Sequence, residues 1–96
     1  MQKEDVLLFL REHKEEMRQR FGLVKIGLFG SFVRDEQKNS SDIDLAVEIK
    51  SPNRFRSFFG LKAYLEEHLH RHVDLGIESS IKPTVYRRIR DEIEYV

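Results

Sequence analysis

The sequence predicts a small α/β (α+β) fold in which a mixed β-sheet is packed with helices, and three observations predict it. Apolar residues recur at helical spacing over 3–20, 55–69 and 83–93, they alternate or run continuously over 23–29, 43–49 and 73–77, and these segments follow one another as helix, strand, strand, helix, strand, helix. A chain of 96 residues buries roughly 60–65% of its unfolded surface and supports one core, so residues 1–96 read as a single domain.

Val6, Leu7, Leu10, Met17 and Phe21 form the stripe of the first helix, with Glu15, Glu16, Arg18 and Arg20 on its polar side. Gly22 ends it, and Leu23-Val24-Lys25-Ile26-Gly27-Leu28-Phe29 makes the first strand. A short helical turn and the polar loop Gln37-Lys38-Asn39-Ser40-Ser41 lead to the second strand, Ile43 to Ile49. After Ser51-Pro52-Asn53 comes a helix whose Phe55, Phe58, Phe59, Leu61, Leu65 and Leu69 are read as core covering the sheet. Val73, Leu75 and Ile77 give the third strand, and Pro83 opens a last helix carrying Val85, Ile89 and Ile93.

Composition narrows the function. Seventeen basic and seventeen acidic residues cancel to zero net charge, which argues against non-specific nucleic-acid binding, since that depends on excess Lys and Arg meeting phosphates. No apolar run reaches the eighteen or so residues of a membrane span, and Lys3, Glu4 and Asp5 break any signal-peptide pattern, so no membrane is expected and the location read from the sequence is cytoplasmic. Without cysteine there is no disulfide framework, thiolate metal site or thiol nucleophile.

The strongest signal joins Gly30-Ser31 to Asp42-Ile43-Asp44. In the second strand Ile43, Leu45, Val47 and Ile49 alternate with Asp42, Asp44, Ala46 and Glu48, so both acids share one face, about 6–7 Å apart. The link between the first two strands is short for a parallel crossover and predicts an antiparallel pair, whereas a full helix joins the second and third strands and predicts a right-handed parallel pair. Gly30-Ser31, the Asp42 and Asp44 pair, and Asp74 then reach one edge of the sheet, provided Asp74 faces the same side. Clustered carboxylates repel, by about 4 kcal/mol for a pair near 4 Å at an effective dielectric of 20. A divalent cation removes that strain, and hard oxygen ligands suit magnesium that also shares phosphate oxygens. In a two-ion arrangement Asp42 and Asp44 bridge the ions, Asp74 joins one, and the other grips a nucleoside triphosphate. Gly30 lets the backbone approach phosphates closely and Ser31 offers its hydroxyl and amide at the start of a helical turn.

Each part also has an ordinary reading: a strand cap followed by a solvated face for Asp42 and Asp44, a tight turn for Gly30-Ser31, a surface acid for Asp74. It is their meeting at one edge that points to chemistry. Arg34 either steadies triphosphate charge or pairs with Asp35 or Glu36. His68 and His72 have the i, i+4 spacing of a zinc pair, with His70 between them, but histidines and Arg71 in a last helical turn also complement the negative end of the helix, and that is the preferred reading. Arg87, Arg88 and Arg90 read as a solvated helix face.

With these residues in view, the chain resembles the minimal nucleotidyltransferases of the DNA polymerase beta-like superfamily. Gly30-Ser31, ten residues, then Asp42-Ile43-Asp44 matches the family's signature, and Val73-Asp74-Leu75 matches the setting of its third acid. The likeness covers nearly the whole chain, including Lys82-Pro83 and a final helix ending Glu92-Ile93-Glu94-Tyr95-Val96. It implies a nucleotidyltransferase fold, magnesium on Asp42, Asp44 and Asp74, and ATP phosphates on Gly30-Ser31. Arg34 matches a common family arginine, while Asp35 stands where glycine often follows it. Members of this size are commonly paired with a helical HEPN-domain protein in a toxin-antitoxin system. The resemblance thus implies transfer of AMP from ATP to a hydroxyl, a tyrosine of the HEPN toxin, with this chain as antitoxin. Two other functions fit the sequence: a non-catalytic module that neutralises or scaffolds its partner by contact, and a magnesium-ATP sensor. The sequence leaves homo-oligomerisation open.

Overall fold

The computed structural model describes residues 1–96. In chain order it contains α1 (Lys3–Phe21), β1 (Leu23–Phe29), β2 (Ile43–Ile49), α2 (Arg54–Leu69), β3 (Val73–Ile77), α3 (Pro83–Ile89) and β4 (Glu94–Tyr95), with 3₁₀ turns at Gly30–Phe32 and Glu78–Ser80. The Gln2 amide donates to the Asp5 carboxylate at 2.8 Å at the start of α1, satisfying a donor that the helix leaves unpaired. At its end Gly22 takes φ 72°, a left-handed value that costs glycine little, and its amide returns to the Arg18 carbonyl at 3.0 Å. The Asn53 side chain caps α2 by accepting from the Arg56 amide at 3.1 Å.

The strands lie in the order β3-β2-β1-β4. β1 and β2 run antiparallel, with Phe29 opposite Asp44, and β2 and β3 run parallel, with Asp44 opposite Asp74. The sheet is therefore mixed, and the expected directions hold. Ile26, Leu28, Ile43, Leu45, Val47, Val73 and Leu75 point to the side that α1 and α2 cover, where Val6, Leu10, Met17, Leu61 and Leu65 meet them. Seventeen buried residues form this one cluster, so a single core holds the strands that carry the acids.

The structure corrects the sequence reading at two places. The last helix stops at Ile89 instead of running to the C-terminus, and residues 94–95 form a fourth strand beside β1. The gap that admits them is Gly27, where an added Cβ would run into Ile93 and the Tyr95 ring. The second correction concerns the phenylalanines. Phe55 is 76% exposed and Phe59 51%, and they line a surface groove with Arg54, Phe58 and Ile77. Leu61, Tyr64, Leu65 and Leu69 make the buried stripe of α2. Phe59 lies two residues before Leu61 and so faces away on a helix of 3.6 residues per turn.

Candidate active site

β1 delivers the chain to Gly30, which takes φ 80°. This glycine is needed twice over: the left-handed backbone strains any other residue, and a Cβ here would run into the Asp44 carboxylate. The 3₁₀ turn that follows is anchored by the fully buried Phe32. The Arg34 amide donates to the Gly30 carbonyl at 3.2 Å and the Glu36 amide to the Ser31 carbonyl at 2.9 Å. Ser31 remains partly exposed at the mouth of the turn. Asp35 adopts φ 57°, a conformation glycine takes readily and aspartate tolerates better than most residues, so a glycine would fit here without strain.

The second strand starts one residue after Asp42. The Ile43 amide donates to the His72 carbonyl at 3.0 Å, so Asp42 lies beside His72 and Asp44 beside Asp74 on the face away from the helices. Neighbouring strands are about 4.8 Å apart, which brings the Asp44 and Asp74 side chains next to each other. All three acids expected from the sequence therefore reach one edge, next to the Gly30-Ser31 turn. They line an open edge and do not close into a cage around a single ion, since no three acidic or histidine side chains gather tightly enough for that.

Electrostatics mark Asp44 as the centre. Burial is the largest cause, followed by the Asp74 and Asp42 charges, and together they push its carboxyl up from 3.8 to about 6. The only ion-pair partner among the three is His72, whose Nδ1 lies 3.2 Å from Asp42 Oδ2. A half-buried Asp44 carboxylate flanked by the exposed Asp42 and Asp74, whose charges outweigh the opposing effect of Arg34, is a set of hard oxygen donors that suits a divalent metal.

The surrounding side chains differ from expectation. Arg34 is paired with Glu36 at 2.8 Å, as one of its two readings had it, but its second partner is Glu92 at 3.0 Å. Glu92 also accepts the Gly30 amide at 3.3 Å. Nothing local in the sequence marks Glu92, which stands 62 residues from Gly30. Arg71 does not serve the helix end as its position predicts; its guanidinium donates to the carbonyls of Lys38, Asn39 and Ser41 at 3.1–3.3 Å and holds the loop that presents Asp42. The histidines separate. His68 packs at a tilt against the Tyr64 ring and its Nδ1 donates to the Tyr64 carbonyl at 2.8 Å, His70 is the left-handed cap of α2, and His72 lies past the helix end, so the i, i+4 spacing is not realised on one helix.

The family described as Nucleotidyltransferase domain matches residues 10–96. The protein adenylyltransferase MntA of Thermococcus cleftensis is 40% identical over 93 residues, covering 97% of this chain and 94% of its own. A Methanocaldococcus jannaschii protein assigned as a protein adenylyltransferase is 38% identical over 88 residues, covering 91% of this chain and 90% of its own. Among solved structures, one assigned as a minimal nucleotidyltransferase superposes with a TM-score of 0.79 at 30% identity, over 98% of this chain and 95% of that one. A toxin-antitoxin structure with AMP-PNP shares the fold, with a TM-score of 0.69 at 23% identity over 88% of this chain and 69% of that one.

Proposed function

We propose that this chain, which belongs to the nucleotidyltransferase domain family, transfers AMP from ATP to a protein hydroxyl, a tyrosine on a helical HEPN-domain toxin, and so acts as the antitoxin of the pair in the cytoplasm. The observation that carries the reading is the pairing of Asp44 with Asp74 across β2 and β3, at the edge where Gly30 and Ser31 turn. The adenylyltransferase name of the Thermococcus cleftensis relative supports the reaction class, and the toxin-antitoxin neighbours support the partner class. No helix is long and apolar enough to cross a membrane.

In the reaction the acceptor hydroxyl oxygen attacks the α-phosphorus, a new O–P bond forms, the bond from that phosphorus to the bridging oxygen breaks, and pyrophosphate leaves. Asp42, Asp44 and Asp74 would hold magnesium, two ions in the fullest form, which supplies Lewis-acid activation of the hydroxyl and neutralises charge on the leaving group. Asp74 is exposed, so an acceptor can reach it, and its carboxylate takes the hydroxyl proton. The Ser31 amide and hydroxyl orient the triphosphate at the turn, where Gly30 permits close approach.

Incubation with labelled ATP, magnesium and the co-expressed partner, read by intact mass, tests the proposal. One or more AMP masses on the partner are expected, lost by at least about 100-fold with Asp42→Ala or Asp44→Ala. Equal labelling by those variants would sink the mechanism, and partner inhibition without ATP would favour simple contact.

A further inference from the structure

We propose that Glu92 sets the affinity of this chain for its nucleotide by standing in for the triphosphate; the inference rests on the nucleotide reading above. Two donors at the turn, the Gly30 amide and the Arg34 guanidinium, are already engaged. The Gly30 amide donates to Glu92 Oε1 at 3.3 Å, and Arg34 Nη1 donates to both Glu92 oxygens, at 3.2 and 3.0 Å. Arg34 Nε meanwhile donates to Glu36 at 2.8 Å. A guanidinium between two carboxylates has no surplus positive charge to offer an anion, and the first amide of the turn faces a carboxylate instead of solvent. The Glu92 side chain is 21% exposed, so the contact is partly shielded from water.

The backbone carrying Glu92 is fixed on both sides. Its amide donates to the Ile89 carbonyl at 2.9 Å, and two residues on, Glu94 takes Lys3 Nζ at 2.9 Å while β4 pairs with β1. The carboxylate is therefore delivered to the turn by the fold. A polyanion entering the turn must displace this side chain or lie against it, and either event costs affinity through like charge. Neutralising Glu92 removes that cost and releases Arg34.

The test compares wild type, Glu92→Gln and Glu36→Gln by titration calorimetry with magnesium-ATP and, separately, with magnesium-free tripolyphosphate. Glu92→Gln keeps the size of the side chain and its acceptor for the Gly30 amide while losing the charge. We expect it to bind both probes roughly 3- to 10-fold more tightly than wild type. Glu36→Gln, which leaves Glu92 in place, is expected to stay within about twofold. The Gly30 amide resonance should move on adding tripolyphosphate to either protein, and should start from a different position in Glu92→Gln. If Glu92→Gln melts abnormally, Glu92→Asp replaces it, since the shorter side chain draws the charge back from both donors; a gain in the same direction is expected. Wild type that binds magnesium-ATP as well as or better than the Glu92 variants would overturn the role of Glu92 and leave the nucleotide reading standing. Absence of magnesium-ATP binding by every protein would overturn the nucleotide reading and this inference with it.

Discussion

On the helix side of the sheet, Ile43, Leu45 and Val47 of β2 are fully buried against α1 and α2, while the same strand turns Asp44 and Glu48 to the opposite side, beside Asp74 and Glu78. One alternation produces both surfaces, but the forces on them are opposed. The covered side gains free energy with each apolar group withdrawn from water, whereas the other side holds Asp44 and Asp74 together against their repulsion. Gly30 sits at the junction, with its backbone pressed against the Asp44 carboxylate. The contrast teaches that stability and chemistry are separated by a two-residue period in this chain, so a substitution on one side should leave the other largely intact.

The largest effect should come from the covered side. Leu45→Ala opens a cavity at a fully buried position and is expected to cost about 2–5 kcal/mol of stability in denaturant unfolding. A cost below about 1 kcal/mol would mean that this side is not the source of stability. Gly30→Ala tests the junction: the strained left-handed backbone and the collision with Asp44 should together cost roughly 1–3 kcal/mol and displace the carboxylate, lowering transfer more than stability alone explains.

The open side should be stabilised by losing charge. Because the Asp44 carboxyl is pushed up from 3.8 to about 6 in the fold, the folded state holds its proton more tightly than the unfolded chain does. The associated stability is complete below the ordinary value and is lost as pH rises through about 6. In metal-free buffer, melting measured across that window should therefore show a decline on the order of 1–2 kcal/mol, reduced by solvent screening of a half-exposed group. Asp44→Asn should flatten the profile and raise stability at neutral pH; an unchanged profile would show that the repulsion is relieved in some other way. The smallest effect is expected at Asp35→Gly, which relieves a left-handed φ of 57° but gives the unfolded chain more freedom, for a net change within about 1 kcal/mol.

Much of this arrangement was legible from local pattern. The alternation from Asp42 to Ile49 assigned the acids to one side, and the short first link and helical second link gave the strand directions that place Asp44 beside Asp74. Gly22 and Asn53 marked helix ends through backbone conformation and capping, which depend only on neighbours. The helix-end reading of the histidines holds for His68 in the last turn and His70 at the cap, whereas the zinc spacing fails because His72 lies beyond the helix and spacing counts only within one element. Phe55 and Phe59 lie outside the core because apolar identity does not fix position, whereas the stripe through Leu61, Tyr64 and Leu65 sets which side of α2 is covered.

By itself the sequence determined the alternating strands, the amphipathic helices and the carboxylates that share a face, because these follow from the geometry of a residue and its near neighbours. Tertiary structure alone decided that Glu92 meets Gly30 and Arg34, that Arg71 holds the loop before Asp42, and that two residues near the C-terminus pair with β1 over Gly27. Such contacts join positions tens of residues apart and leave no period to read. Whether they form depends on which gaps the packed core leaves open.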